Sequence, residues 1–96
     1  MTQQNQNIEY IDYLPEGCPF KCVTFIKDNK RIYVLTFVEF DLVCDPTVMI
    51  SWGPLGSQLS KSRVQAFKDT REARQFFNQQ YRRRISRGYH VYRTLP

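Results

Sequence analysis

The run Ser51-Trp52-Gly53-Pro54-Leu55-Gly56 holds the only tryptophan of the chain and two of its four glycines. Thr47, Val48, Met49 and Ile50 precede it as an apolar, β-branched stretch, and Lys61 and Arg63 follow. An indole face can pack on a ribose or an end base while cations neutralise phosphates, so this order suits a sugar-phosphate backbone. Gly53 and Gly56 would let backbone approach such a ligand closely. The competing reading is burial, because a lone tryptophan at a strand end often belongs to the core.

The charge distribution favours the first reading. Residues 1–60 carry four cations and seven anions, a net of −3, whereas residues 61–96 carry ten cations against Asp69 and Glu72, a net of +8. So lopsided a field suits a polyanionic partner, with a solvated basic helix as the plainer explanation. Arginine outnumbers lysine eight to two in this segment, and its planar fork grips phosphate at two points. Arg71, Arg74, Asn78 and Arg82 recur every three to four residues and would form one outer stripe of a helix. Arg83, Arg84 and Arg87 would fall in its last turns, where cations complement the helix dipole; Arg84 lies on the apolar side and is expected to snorkel outward. The dipole does not account for Arg71 and Arg74, which sit near the positive end.

Other chemistry finds little support. One histidine, His90, no GxSxG and no paired carboxylates argue against hydrolase or transferase catalysis, and no catalytic residue is assigned. Asp41 and Asp45 read as turn formers. Tyr89, His90 and Tyr92 could line a small pocket, a remote enzymatic alternative. Gly53 and Gly56 make no Walker loop, and no cofactor is expected. Cys18, Cys22 and Cys44 are an odd set without a CxxC pair, and zinc would need further ligands; reduced thiols in a cytoplasmic protein and no metal site are the expectation. The N-terminus is Gln/Asn-rich without an apolar signal region, and no apolar run reaches membrane-spanning length, so no membrane partner is expected.

At 96 residues, with fourteen aromatics, the chain has room for one modest core. Residues 1–19 read as a flexible or loosely packed arm. Residues 20–27 and 30–40 form two strands joined at Asp28-Asn29, a hairpin. Residues 41–46 are a loop, 47–52 a third strand, 53–60 a glycine-containing loop and 61–68 a fourth strand. In that strand Val64 and Ala66 point one way, and Arg63, Gln65 and Phe67 the other. A helix follows, capped by Asp69 with Glu72 three residues on. Ala73, Phe76, Phe77, Gln80, Tyr81 and Ile85 make its inner face, and Gly88 stops it. Residues 89–95 are extended or a short strand. The fold class is α+β: about four antiparallel strands with one amphipathic helix packed on them.

From about Phe25 to Tyr89 the chain resembles the WGR domain. Lys30-Arg31-Ile32-Tyr33-Val34-Leu35 resembles the family strand NKFYRIQL, and Asp41-Leu42 opens a loop like the DLFG of bacterial members. Ser51 to Gly56 is similar to SWGRVG except at the arginine, where Pro54 stands. Asp69 to Phe77 resembles the capped helix opening, and Tyr81 with Gly88-Tyr89 the ending Y-x-x-K…GY. The resemblance implies a small α+β module, found in poly(ADP-ribose) polymerases and in compact bacterial proteins, that binds DNA near strand breaks. It implies that Trp52 packs on a terminal sugar, that Gly53 forms the tight turn, and that Arg63 contacts DNA. The arginine's role has no counterpart, since proline has neither charge nor N–H.

These readings converge on residues 20–96 as a stand-alone, cytoplasmic, bacterial, non-catalytic module. Its expected partner is nucleic acid, DNA before RNA, met through backbone or strand ends with little sequence preference. The site residues are Trp52, Gly53, Lys61, Arg63, Arg71, Arg74 and Arg82. The alternative is a protein-interaction or dimerisation module of the same fold, for which Pro54 and the aromatic arm residues Tyr10 and Tyr13 speak. Salt discriminates the two, because phosphate binding weakens steeply with ionic strength and apolar docking does not.

Overall fold

A computed structural model describes residues 12–15, 17–39, 45–56, 59 and 61–96. Expectations for Tyr10, for the loop residues Asp41 and Leu42, and for Cys44 lie outside the described residues. The elements are β1 (Phe20–Lys27), β2 (Arg31–Val38), β3 (Thr47–Pro54), β4 (Lys61–Ala66), α1 (Thr70–Ser86) and β5 (His90–Leu95). The strands form one antiparallel sheet in the order β4-β3-β2-β1-β5.

Local chemistry explains the joints. Asp28 and Asn29 both take positive φ (55° and 54°), and the Lys30 N–H donates to the Lys27 carbonyl at 2.9 Å. This turn, with Asp28 and Asn29 at its centre, lies in the three-residue loop 28–30 that the Lys27–Arg31 pairing leaves, and it uses residue types that tolerate left-handed backbone. Asp69 caps α1 by accepting from the Glu72 N–H at 2.9 Å. At the other end Gly88 adopts φ +93°, its N–H reaching the Ile85 carbonyl at 3.1 Å while the Tyr89 N–H reaches the Arg84 carbonyl at 3.0 Å. This pair of hydrogen bonds across a left-handed glycine closes the helix and fixes Tyr89 beside Arg84.

The sheet has five strands, one more than the sequence reading. After Gly88 the chain turns back, and β5 pairs with the free edge of β1, with a bulge between Thr24 and Phe25. Every residue of β5 is exposed, so no alternation of apolar and polar residues marks it. Three further details differ. β3 continues through Gly53 to Pro54, because Ile32 pairs with Gly53 and Arg31 with Pro54; Trp52 therefore stands inside a strand and the turn falls at Leu55-Gly56. Ile85 is 43% exposed rather than on the inner face, since it lies on the last turn of α1. β4 ends at Ala66, two residues early, although its two faces divide as expected.

Strand alternation sorts the sheet into two faces. Val23, Phe25, Tyr33, Leu35, Phe37, Val48 and Ile50 share one face with Ala73 and Phe77 of α1, and Leu14 joins them at 1% exposure. The other face presents Cys22, Thr24, Ile26, Ile32, Val34, Thr36, Val38, Thr47, Met49, Ser51 and Val64, and no charged residue falls on it in β1 to β4. All the charge of these four strands therefore lies on the helix side or at strand ends.

Residues 12–15, ahead of β1, are anchored. The Arg74 guanidinium pairs with the Asp12 carboxylate at 3.0 Å and donates to the Pro15 carbonyl at 3.3 Å and to that of Leu14. Asn78 accepts from the Tyr13 N–H and donates to Asp12, both at 2.9 Å. The Tyr13 ring lies flat on Tyr81, centroids 3.9 Å apart.

Candidate nucleic-acid interface

Trp52 sits at an uncovered corner of the helix-side face. Register puts Tyr33 beside it on β2 and Lys61 beside it on β4, and Arg63 opposite Ile50 one step further along. Side chains directly opposite on antiparallel strands share a face, so Tyr33, Trp52 and Lys61 form one row. The Trp52 ring lies 6.4 Å from that of Tyr33 at 25°, and the tryptophan is half-buried. Trp52 packs partly against the core, and it also walls two depressions.

The first depression, about 340 Å3, opens at the hairpin end of the sheet and is bordered by Trp52, Gly53, Pro54, Lys30, Arg31 and Lys61. The second, about 260 Å3, runs towards α1 and is bordered by Trp52, Arg31, Arg63, Gln80, Arg84 and Tyr89. Arg31, Trp52 and Tyr89 belong to both. Five cations thus surround one indole, and no acidic side chain among the described residues lines either depression. A concave surface with cations and low-dielectric walls concentrates a positive field where an anion would enter.

The floor is rigid. Tyr33 is 6% exposed, and its hydroxyl donates to Gln80 Oε1 at 3.2 Å. Burial pushes its phenol above the ordinary value, opposed by the positive charges of Arg84 and Arg83. The Arg84 guanidinium lies 4.3 Å from the Tyr33 ring centroid and 5.3 Å from that of Tyr89, and Lys27 Nζ is 5.7 Å from the Tyr89 ring. Arg84 is half-buried: it lies across the aromatic floor, where snorkelling outward was expected.

The structure brings together four of the residues singled out by the sequence: Trp52, Gly53, Lys61 and Arg63. Arg71, in the first turn of α1, and Arg82, on its outer side, border neither depression. Arg74 and Asn78, two members of the expected outer stripe, are turned to the N-terminal segment instead. Arg74 borders a separate hollow with Asp12, Glu39 and Thr70, whose hydroxyl donates to Glu39 at 2.5 Å. The Tyr89, His90, Tyr92 cluster is divided, for Tyr89 faces Trp52 while His90 and Tyr92 are exposed on edge strand β5. Sequence reasoning did not place Lys30, Arg31 or Arg84 at this site, and it considered Tyr89 only for a small pocket with His90 and Tyr92. For Arg84 a signal existed, since it falls four residues after Gln80 on the inner side of the helix.

A family model of the WGR domain matches residues 18–94, nearly the whole chain. The chain belongs to the WGR domain family. WGR domains are modules of nucleic-acid-binding type and are not themselves catalytic. Comparisons with curated proteins and with solved structures return no match. In this WGR domain the signature tryptophan and glycine are Trp52 and Gly53, and Pro54 takes the third position.

Proposed function

We propose that the Trp52 corner binds nucleic acid, DNA in preference to RNA, through its backbone and strand ends. The observation that supports this reading most is the pair of contiguous depressions that share the Trp52 ring and carry cations without acidic neighbours. Trp52 meets a sugar or an end base, while Arg31, Lys61 and Arg63 neutralise phosphates. Arg74 has another task, holding the N-terminal segment. Among the described residues neither a helix nor a ribbon is shaped to enter a groove and read base edges, so affinity depends little on sequence. The module binds and does not catalyse. A titration with short single-stranded, blunt and nicked DNA at two salt concentrations tests this, with Trp52 emission as an internal probe. Salt-dependent binding with a Trp52 response supports the reading; absence of binding at low salt removes it.

A second reading, self-association, is favoured by the part of the other sheet face in β1 to β4, which carries no charge. Four strands about 4.8 Å apart and seven residues of about 3.3 Å each give about 450 Å2 per copy. Two copies would bury close to the 1,000 Å2 or so that marks the lower end of specific interfaces. Such a pair would leave both Trp52 corners facing outward. Sedimentation of the wild type and Val34→Lys decides it, a monomer at all concentrations being the negative result.

A further inference from the structure

Helix α1 is lightly held. Of its seventeen residues Ala73, Phe77 and Gln80 are buried, and the turns after Gln80 are half-buried or exposed. Yet the second depression lies between this helix and the sheet. Gln80 and Arg84 form one wall, and Tyr33, Trp52, Arg31 and Arg63 the other. Its width therefore depends on how closely α1 sits on β2 and β3.

Residues 12–15 run along the same stretch of helix as a strap. The Arg74 guanidinium donates to three oxygens of the strap: the Asp12 carboxylate at 3.0 Å and the carbonyls of Leu14 and Pro15. Asn78 accepts from the Tyr13 N–H at 2.9 Å. Tyr13 lies flat on Tyr81, at 3.9 Å and 9°, and Leu14 is buried in the cluster that includes Phe77. From there a row of rings leads to the site. Tyr81 stands edge-on to Phe25 at 5.0 Å, Phe25 edge-on to Tyr33 at 6.1 Å, and Tyr33 beside Trp52 at 6.4 Å, all within the range of packed aromatic pairs. The Tyr33 hydroxyl is tied as well to Gln80, the residue before Tyr81. One turn of α1 is thus gripped by the strap on one side and grips Tyr33 on the other. A close-packed interior transmits such a constraint, because it holds little free volume to absorb it.

Resting on the nucleic-acid reading above, we infer that residues 12–15 are a positioning strap for the Trp52 corner. By clamping α1 onto the sheet they set the spacing of Gln80 and Arg84 from Trp52, and with it the affinity for nucleic acid. Tyr13 and Arg74 are positioning residues, which act through Tyr81, Gln80 and Tyr33 and touch no phosphate. The rival role for Arg74, direct phosphate contact from the face of the helix, differs in sign. Removing the Asp12 carboxylate would free Arg74 for phosphate and tighten binding, whereas loosening a strap weakens it.

The test compares wild type, Asp12→Asn, Tyr13→Ala, Tyr13→Phe and Arg74→Gln, well below every melting midpoint. A short duplex is titrated at several salt concentrations, and Trp52 emission and its quenching by acrylamide are read in the free protein. Tyr13→Ala and Arg74→Gln are expected to bind about twofold to thirtyfold more weakly, the range of coupling through a packed network. Their salt slope stays at the wild-type value, because no phosphate contact is lost. Trp52 quenching changes in both, Asp12→Asn weakens binding by less, and Tyr13→Phe, which keeps the stacked ring, behaves as wild type. If Arg74→Gln does not fold, the two Tyr13 variants carry the comparison. The inference is overturned if Arg74→Gln lowers the salt slope by about 1, the mark of a lost phosphate contact, or if Asp12→Asn tightens binding. It is overturned equally if Tyr13→Ala melts lower but keeps wild-type affinity and emission, or if Tyr13→Phe is as impaired as Tyr13→Ala. Wild-type protein that binds no DNA removes the parent reading instead, and Trp52 quenching then decides the strap by itself.

Discussion

Arg31 lies directly opposite Pro54 across the β2–β3 ladder. Both residues border the depression at Trp52, and the Leu55 N–H closes the strand end on the Lys30 carbonyl at 2.8 Å. The third position of the WGR signature thus lacks its guanidinium, yet the neighbouring strand delivers one to the same hollow. Opposed positions on antiparallel strands project side by side, so a cation can move from one strand to its partner with little change in the field.

A double exchange tests this equivalence. Arg31→Gln is expected to weaken binding of a short duplex and to reduce the salt slope by about 1, the mark of one lost phosphate contact. Pro54→Arg alone should bind more tightly and melt slightly lower, because two like charges then face each other across the strands. The variant carrying both changes should return to wild-type affinity and slope. If Arg31→Gln leaves the slope unchanged, Arg31 does not touch phosphate.

Trp52 is half-buried, so its removal has two separable effects. Trp52→Ala should lower affinity for single-stranded DNA by roughly tenfold to a hundredfold, in line with about 1–3 kcal/mol for a stacked base. The domain should still melt cooperatively, since the largest fully buried side chains are Phe25, Phe37, Phe77, Leu14, Leu35, Val23 and Val48. A variant that no longer unfolds cooperatively would make Trp52 a core residue and void the site.

The Asp12 latch makes stability depend on acid. Partial burial works to raise the Asp12 carboxyl, but the Leu14 N–H, the Asn78 amide and the Arg74 guanidinium together hold it below its ordinary value. A carboxyl depressed in the folded state stabilises above its unfolded value, near 3.9, and the stabilisation is lost as pH falls through the folded value. Half-exposed pairs are worth at most about 1 kcal/mol. Asp12→Asn should therefore melt a few degrees lower at pH 7, and the gap from wild type should narrow as pH falls below the ordinary carboxylate range and through the depressed folded value. A gap independent of pH would show that the carboxylate charge plays no part.

Features built from neighbouring residues were legible in the sequence. The Asp28-Asn29 turn, the Asp69 cap and the Gly88 stop each depend on a few adjacent side chains, and the structure has all three. The surroundings of Trp52 were not, because β2 and β3 are joined through residues 39–46, and no two-residue turn sets their register. Arg31 therefore could not be placed opposite Pro54 by counting. Strand β5 was hard to see for a different reason: it pairs with β1 some seventy residues away and has no buried face. The helix period gave the angular position of Arg74 and Arg84, but not what lies against them, a segment of chain in one case and two tyrosines in the other.

Leu14 decides whether the N-terminal segment belongs to the domain. It precedes β1, beside Pro15, yet it is 1% exposed within the cluster that includes Phe37 and Phe77. Truncating a buried leucine to alanine removes its transfer energy and leaves a cavity, together about 2–5 kcal/mol. A domain of this size is stable by only about 5–15 kcal/mol, so Leu14→Ala should reduce its melting temperature by ten degrees or more, roughly 4–8 °C for each kcal/mol. Tyr13→Ala, which removes the stack on Tyr81 and leaves Leu14 in place, should cost less. Denaturant unfolding of both variants gives the comparison, and a Leu14→Ala midpoint equal to wild type would mean the segment contributes nothing to the core.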